Sequence, residues 1–336
     1  MQEVAAAAGV SLSTVDRILN RRAAVKRATV DQVLSAAQRL GYHGVRSIHD
    51  RLTENAPRAT LGFVLNSRDR GLYAELGHML ADRTRASTLL RAQEAVRHME
   101  GISSAHVVRA IEELAETCDA IAVVAVDTPE VNAAVDRLAA RGIPVITMLS
   151  DLSTPRRTAF VGADGIKIGR GAGWMIDRLA PSTGTVGLLL GSSDYMAHRA
   201  YRDGFRAYLH ERGSQLVVRE IGETDESDFI AYGLTEHALE HEPDLVAILV
   251  AGGGLGGAAT ALRTAQRKDL VLIGTELSRE AGMALSDNLL DVVLSHPGPD
   301  VVERTVALME RILTLGPQDL PRNHDVPVDI RTSETL

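Results

Sequence analysis

From residue 60 onward the apolar positions fall into short runs separated by stretches of helical spacing. Runs at 61–65, 120–126, 144–149, 185–190, 245–251, 270–273 and 291–294 are apolar through their whole length or nearly so. Runs this short, bounded by polar residues and glycines, predict strands covered on both faces. Between them, stretches such as 104–115, 166–179 and 299–313 repeat apolar residues every three or four positions and predict amphipathic helices. The alternation predicts an α/β architecture of parallel strands covered by helices, repeated often enough for two sheets.

The first forty residues follow a different rhythm. Val4, Ala5 and Ala8 mark one short helix, and Gly9 supplies a tight turn. Ser11 is suited to cap a second helix, in which Val15, Ile18 and Leu19 make one inward stripe. Leu12, Ser13, Asp16, Arg17 and Asn20 then project from the opposite side. A third helix is expected over 29–40, with Val33, Leu34, Ala37 and Leu40 facing inward. Gly44, Pro57 and scattered charges between Tyr42 and Thr60 have the composition of a linker.

Composition adds constraints. A chain of 336 residues exceeds one ordinary core, and its 45% hydrophobic content is that of a globular protein. The single cysteine, Cys118, excludes an intramolecular disulfide and fits a reducing compartment. The longest uncharged run, 245–262, is broken by glycines at 252, 253, 254, 256 and 257, so it reads as strand, turn and helix start, not as a membrane span. Residues 1–20 hold no basic segment followed by an apolar one, so a cytoplasmic protein is expected. Charge is divided unevenly. Residues 1–58 carry nine Lys or Arg against five Asp or Glu, a net +4, whereas the rest carries 27 against 39, a net −12. An acidic body repels nucleic acid, so any DNA contact belongs to the basic head. A thin helix exposing short polar groups and one arginine suits the major groove, but spacing alone serves equally well for a helical cap packed on the body.

The residues themselves favour the first reading. VAAAAGVSLSTVDRILN followed by VKRATVDQVLSAAQRLGY resembles the DNA-binding head of the LacI/GalR family of transcription regulators. The resemblance implies that Ser11 caps the recognition helix, that Leu12 and Ser13 hold its two main base-reading positions, and that Arg17 makes a third base contact. It puts Thr14, Asn20 and Tyr42 on the phosphate side and adds Asp16 and Arg22 to the DNA-facing set. It also implies a hinge helix over 45–52 that inserts Leu52 into the minor groove. Three departures stand out: Asp16 where the family has Ser, Lys26 where it has a capping Ser, and a start several residues short of the usual one, so that either the first helix begins uncapped or the stated start is displaced downstream.

Farther on, LGFVL, DAIAVVAVDTPEV, GIPVITMLSDL, FVGADGIKIGRGA, ILVAGGGLGGA, VLIGTELS and VPVDIRTSETL resemble the effector domain of the same family, itself similar to periplasmic sugar-binding proteins. The implied fold is a two-lobed, type I periplasmic-binding-protein-like clamp with parallel sheets, behind an all-α helix-turn-helix head. The implied organisation is a head over 1–43, a hinge over 44–59 and a body over 60–336, with lobes at 60–161 plus 296–318 and at 162–295 plus 319–336. Ligands of such sheets bind beyond the carboxyl ends of the strands. There stand Asn66, Asp127, Asp164, Gly254, Glu276 and His296, each equally readable as a helix cap or turn residue. Tyr73, His198 and Tyr201 complete the expected effector set, Tyr201 replacing the family's usual Arg. The resemblance implies a homodimeric repressor on a pseudo-palindromic operator, a sugar-like effector, and no catalysis, cofactor, metal or membrane.

Two rivals remain. Gly252-x-Gly254-x-x-Gly257 satisfies a dinucleotide fingerprint, with Glu276 about where a ribose carboxylate stands, which would make the protein an oxidoreductase. Its place late in the chain argues against this, as that fingerprint opens its domain. A solute-binding receptor would share the clamp but has no use for a basic head.

Overall fold

The computed structural model describes residues 1–20, 25–45, 48–49, 53–318 and 320–336. Short apolar segments build the middle of each sheet. In the first, β1 (Arg58–Leu65), β3 (Ala120–Val123), β4 (Val145–Met148) and β5 (Ala159–Gly162) are nearly all buried. The order is β11-β5-β4-β3-β1-β2, with β2 (Arg91–His98) and β11 (Asn323–Asp325) at the edges and every pair parallel. In the second sheet, β6 (Thr183–Leu190), β8 (Leu245–Ala251), β9 (Val271–Gly274) and β10 (Val292–Ser295) lie between β7 (Gln215–Glu223) and β12 (Asp329–Arg331), in the order β12-β10-β9-β8-β6-β7. All seven runs expected to be strands are strands. β12 departs from the expected parallel pattern, pairing antiparallel with β10.

The strands that sequence patterning passed over are the polar edges β2 and β7, and the short β5, β11 and β12. β2 reads RAQEAVRH, and β7 buries one residue fully. The chain passes between lobes after β5, after β10 and between β11 and β12. The sequence boundaries at 161 and 296 lie next to the first two passages. The segment 319–336 does not go to one lobe as expected, because β11 adds to β5 of the first sheet.

Helices cover the sheets. α4 (Gly71–Arg85), α5 (Ser104–Leu114), α6 (Pro129–Ala140) and α12 (Gly298–Leu315) pack on the first. α7 (Gly165–Leu179), α8 (Met196–Arg212), α9 (Asp228–His241), α10 (Leu255–Thr264) and α11 (Arg279–Ser286) belong to the second. α7 and α8 touch backbone to backbone: a Cβ on Gly169 would fall 2.8 Å from the Phe205 nitrogen, and one on Gly204 would strike the Ile166 carbonyl. That approach fixes the start of α8, and with it His198 and Tyr201, at the edge of the cleft between lobes.

The head consists of α1 (Gln2–Ala7), α2 (Leu12–Leu19) and α3 (Arg27–Arg39). Val4, Ala5, Val15, Ile18, Val30, Val33, Leu34, Ala36 and Ala37 form its core, which Ile48 joins from the linker. Leu40, expected inside, is 48% exposed because α3 ends one residue earlier and Leu40 is its C-cap. Gly9 takes the expected positive φ, 65°. Lys26 and Met1, at the N-cap positions of α3 and α1, make no side-chain cap. The linker meets the body where His49 Nε2 lies 2.8 Å from the Ser87 carbonyl. No helix among the described residues is long and apolar enough to cross a membrane.

Candidate functional site

Two surfaces carry the chemistry that the sequence points to, and the first is α2. Ser11 caps it, its hydroxyl accepting the Thr14 backbone N–H at 3.2 Å. With Val15 and Ile18 buried, Leu12 (44% exposed), Ser13 and Arg17 stand on the outer face. Arg17 folds back along that face, donating from Nε to the Ser13 carbonyl (3.2 Å) and from Nη2 to Ser13 Oγ (3.4 Å). The Thr14 hydroxyl lies 2.8 Å from Ser11 Oγ. Asp16, unusual for its position, accepts from Asn20 Nδ2 at 2.6 Å, which orients the carboxylate along the helix. Tyr42 is half-buried against the head core, its ring 4.4 Å from that of His43. Arg22 and Leu52 lie outside the described residues, as do parts of the expected hinge helix.

The second surface is the cleft. Of the nine residues expected there, Tyr73, His198, Tyr201, Glu276 and His296 line one cavity of about 40 Å³ between the lobes. That is room for about one water molecule. The other four stand elsewhere. Asn66 is buried behind the cavity wall and accepts the Tyr195 hydroxyl at 3.0 Å. Asp127 is held by the Ser153 N–H (2.8 Å), Asn132 (2.9 Å) and Arg199 (3.0 Å). Burial raises its carboxyl, but these donors together bring it below the ordinary carboxylate range. Asp164 caps α7, accepting from the Lys167 N–H at 3.2 Å, and lines a separate surface depression. Gly254 caps α10 at φ 105° and packs on Ala231 and Thr224. Asp164 and Gly254 thus serve as a helix cap and a turn residue where they stand.

His296 and Tyr201 interlock. His296 Nδ1 accepts the Ala163 N–H at 2.8 Å, and Nε2 lies 2.9 Å from the Tyr201 hydroxyl. Burial pushes the imidazole down to about 4, so it is neutral, with its proton on Nε2 and donated to Tyr201. His198 is likewise driven below its ordinary value by burial. The phenols of Tyr73, Tyr195 and Tyr201 are pushed above theirs by burial and stay protonated.

The sequence reading missed four residues that tie the lobes. Arg70, in the loop after β1, forms ion pairs with Glu226 and Glu276 of the other lobe. Arg199 Nη2 meets Asp127, and Tyr195 meets Asn66. Burial pushes the Glu276 carboxyl up to about 7, with Arg70 opposing and Glu226 adding to the rise. Burial also raises Glu226, but Arg70, His198 and the Gly253 N–H together hold that carboxyl below its usual value. Glu226 follows β7, the edge strand that patterning overlooked, and Arg70 sits in a polar loop like many others. Among the described residues, His198, Glu226 and Glu276 are the one group with metal-ligand geometry, their ligand atoms within 4.8 Å of one another. Arg70 already supplies the positive charge between its two carboxylates.

The glycine loop serves this charge cluster. The Gly253 N–H donates to Glu226 Oε1 at 3.0 Å and the Gly252 N–H to Thr275 Oγ1 at 2.8 Å. A Cβ on Gly252 would lie 2.6 Å from the His198 ring, and one on Gly257 would strike the Asp228 backbone. The N–H groups that would cradle a pyrophosphate are taken, and a buried carboxylate stands beside them, against the dinucleotide reading.

Comparison with known proteins agrees with this anatomy. Residues 1–44 match the model of bacterial regulatory proteins of the lacI family, and residues 90–317 match that of a periplasmic binding protein domain. No curated protein sequence matches the chain. Among solved structures, a solute-binding protein of an ABC transporter from Agrobacterium vitis, bound with alpha-D-tagatopyranose, superposes with TM-score 0.75 at 16% identity over 82% of this chain and 95% of its own. A counterpart from Burkholderia graminis in complex with D-arabinose gives 0.74 at 16% identity, over 83% and 97%. A glucose-galactose binding protein from Geobacillus stearothermophilus gives 0.73 at 18%, over 83% and 99%. At such identities the likeness is one of fold. With a lacI-type helix-turn-helix in front of a periplasmic binding protein domain, the chain belongs to the LacI/GalR family of DNA-binding regulators.

Proposed function

We propose that the protein is a transcription repressor whose grip on an operator is set by a small polar ligand of the sugar class bound between the lobes. The observation that carries the reading is the outer face of α2, where Leu12, Ser13 and Arg17 are presented by a capped helix whose inner face is locked in the head core. Such a helix enters the major groove, where an arginine suits a guanine edge and a leucine a thymine methyl. Thr14, Asp16, Asn20, Arg22, Tyr42 and Leu52 complete the DNA-facing set, and the hinge runs over 44–59 between a head of 1–43 and a body of 60–336. Two copies bind half-sites about one helical turn apart. The protein acts in the cytoplasm and is not an enzyme.

In the cleft, Tyr73, His198, Tyr201, Glu276 and His296 contact the ligand, with Asn66, Asp127, Asp164 and Gly254 around them. Ligand-dependent rearrangement of the lobes alters the spacing of the heads, and linkage makes DNA and ligand affect each other's affinity by the same factor. The likeness of the body to sugar-binding proteins supports the ligand class. An electrophoretic shift of DNA upstream of the protein's own gene tests the reading. A sequence-preferring complex that weakens steeply with salt is expected, and binding indifferent to sequence contradicts it.

A further inference from the structure

Arg70 is held as proteins hold an organic cation. It stands at the N-cap of α4 in one lobe and reaches the carboxylates of Glu226 and Glu276 in the other. Those side chains are only 3% and 16% exposed. The guanidinium carbon also lies 4.9 Å from the ring centre of Tyr73. Two carboxylates and an aromatic face are the elements of a cation site. The backbone makes room for it, since a Cβ on Gly253 would come 2.5 Å from Arg70 Nη2.

This site opens into the interlobe cavity, because Tyr73 and Glu276 line both. Ser295 lines the same cavity, 3% exposed, and its hydroxyl has no hydrogen-bond partner. Buried polar groups of this kind are normally satisfied, so the wall presents hydrogen-bonding capacity that a hydroxylated ligand would meet.

A cavity of about 40 Å³ admits no sugar. The Arg70 side chain is 18% exposed, so the guanidinium arm borders solvent. Its departure alone leaves Glu226 buried as an unpaired carboxylate beside Glu276, which is unfavourable. A ligand that brings its own positive charge avoids that cost, and a neutral ligand does not.

We propose that Arg70 is a built-in stand-in for a cationic effector: the ligand carries an amine that displaces the guanidinium and sits between Glu226 and Glu276 on the face of Tyr73, while a hydroxyl reaches Ser295. The class is a hydroxylated alkylammonium, with an amino sugar as the simplest member. The inference rests on the proposed role of the cleft as the effector site and narrows its ligand.

The test compares the full-length wild type with Arg70→Ala, measuring thermal shift and calorimetric binding with D-glucosamine, D-glucose, putrescine, methylguanidinium and Mn²⁺. Methylguanidinium is expected to raise the Tm of R70A and not that of the wild type. D-Glucosamine is expected to bind R70A at least tenfold more tightly than D-glucose, and adding Glu276→Gln should erase that preference. Putrescine binding as well as D-glucosamine would support the cation site and assign it to simple polyamines. The proposal is overturned if D-glucose matches D-glucosamine, if no amine or guanidinium stabilises R70A, or if Mn²⁺ alone does so through His198, Glu226 and Glu276. Should R70A fail to fold, the wild type carries the comparison of D-glucosamine with D-glucose, and equal binding or none overturns the proposal. DNA affinity measured in parallel separates the two readings. An amine that binds without altering DNA affinity keeps the cation site and removes its regulatory role. A neutral sugar that binds and alters DNA affinity keeps the regulator and removes the cation site.

Discussion

Head and body place their working residues differently with respect to their cores. Among the described residues the head buries nine apolar side chains, joined by Ile48 of the linker, and its outward set on α2 takes no part in that packing. The body has a far larger core that continues through both lobes, and its cleft residues are themselves buried between them. In the head, then, stability and recognition are separable: the inside of α2 holds the fold and the outside holds the chemistry. In the body they are not, because Glu276 and Tyr195 line the cavity and, through Arg70, Glu226 and Asn66, also fasten one lobe to the other.

The largest break in this contrast comes from Ile18→Asp. A carboxylate at a fully buried position of so small a core unfolds the head. DNA binding should fall below detection while the main melting transition of the body stays within about a degree of wild type. A body that melts much earlier would show that the two units are not independent. Next in size is Arg70→Ala, which leaves two buried carboxylates and should lower body stability by about 3 kcal/mol in urea titrations. Loss of less than about 1 kcal/mol would mean that the cross-lobe pairs are not formed in solution.

Arg17→Ala should do the reverse, costing about 1–3 kcal/mol in specific DNA binding with relaxed preference at one base pair and no change in the melt. Equal weakening on random DNA would remove it from base reading. The smallest effects, a few degrees in Tm, concern pH. His296 is neutral in the fold, its value lowered from 6.5 to about 4, so the unfolded chain takes up the proton first and stability falls as pH drops from 6.5 to 4. Glu276 has the opposite sign. Its value is raised from 4.5 to about 7, so the fold keeps the proton longer and stability falls as pH rises from 4.5 to 7. His296→Asn should therefore flatten the acid side of the profile and Glu276→Gln the neutral side. The same displacement from both variants would contradict these assignments.

The same contrast explains what the sequence could reveal. The second helix of the head is local, with cap, stripe and outward residues all between Ser11 and Asn20, so its motif is readable in one window. The central strands are readable because burial on both faces makes them apolar throughout, as in AIAV of β3 and VITM of β4. The edges β2 and β7 are not, because one side faces solvent and carries charge. The cleft is the least readable part. Arg70 meets a partner 156 residues away and another 206 away, a pairing no spacing rule encodes. Asp164 shows the complementary difficulty: an aspartate after a strand suits a ligand site and a helix cap equally, and spacing does not separate the two.

The central claim is that one chain reads DNA with its head and has that reading set by a ligand in its body. Its most direct test is the affinity of the intact protein for a duplex selected from a random pool, measured with and without the best-stabilising compound from a thermal-shift screen. The account predicts a selected motif of two-fold symmetry and an affinity that the compound changes at least fivefold, a coupling of about 1 kcal/mol. A compound that binds the body and leaves that affinity unchanged would contradict it.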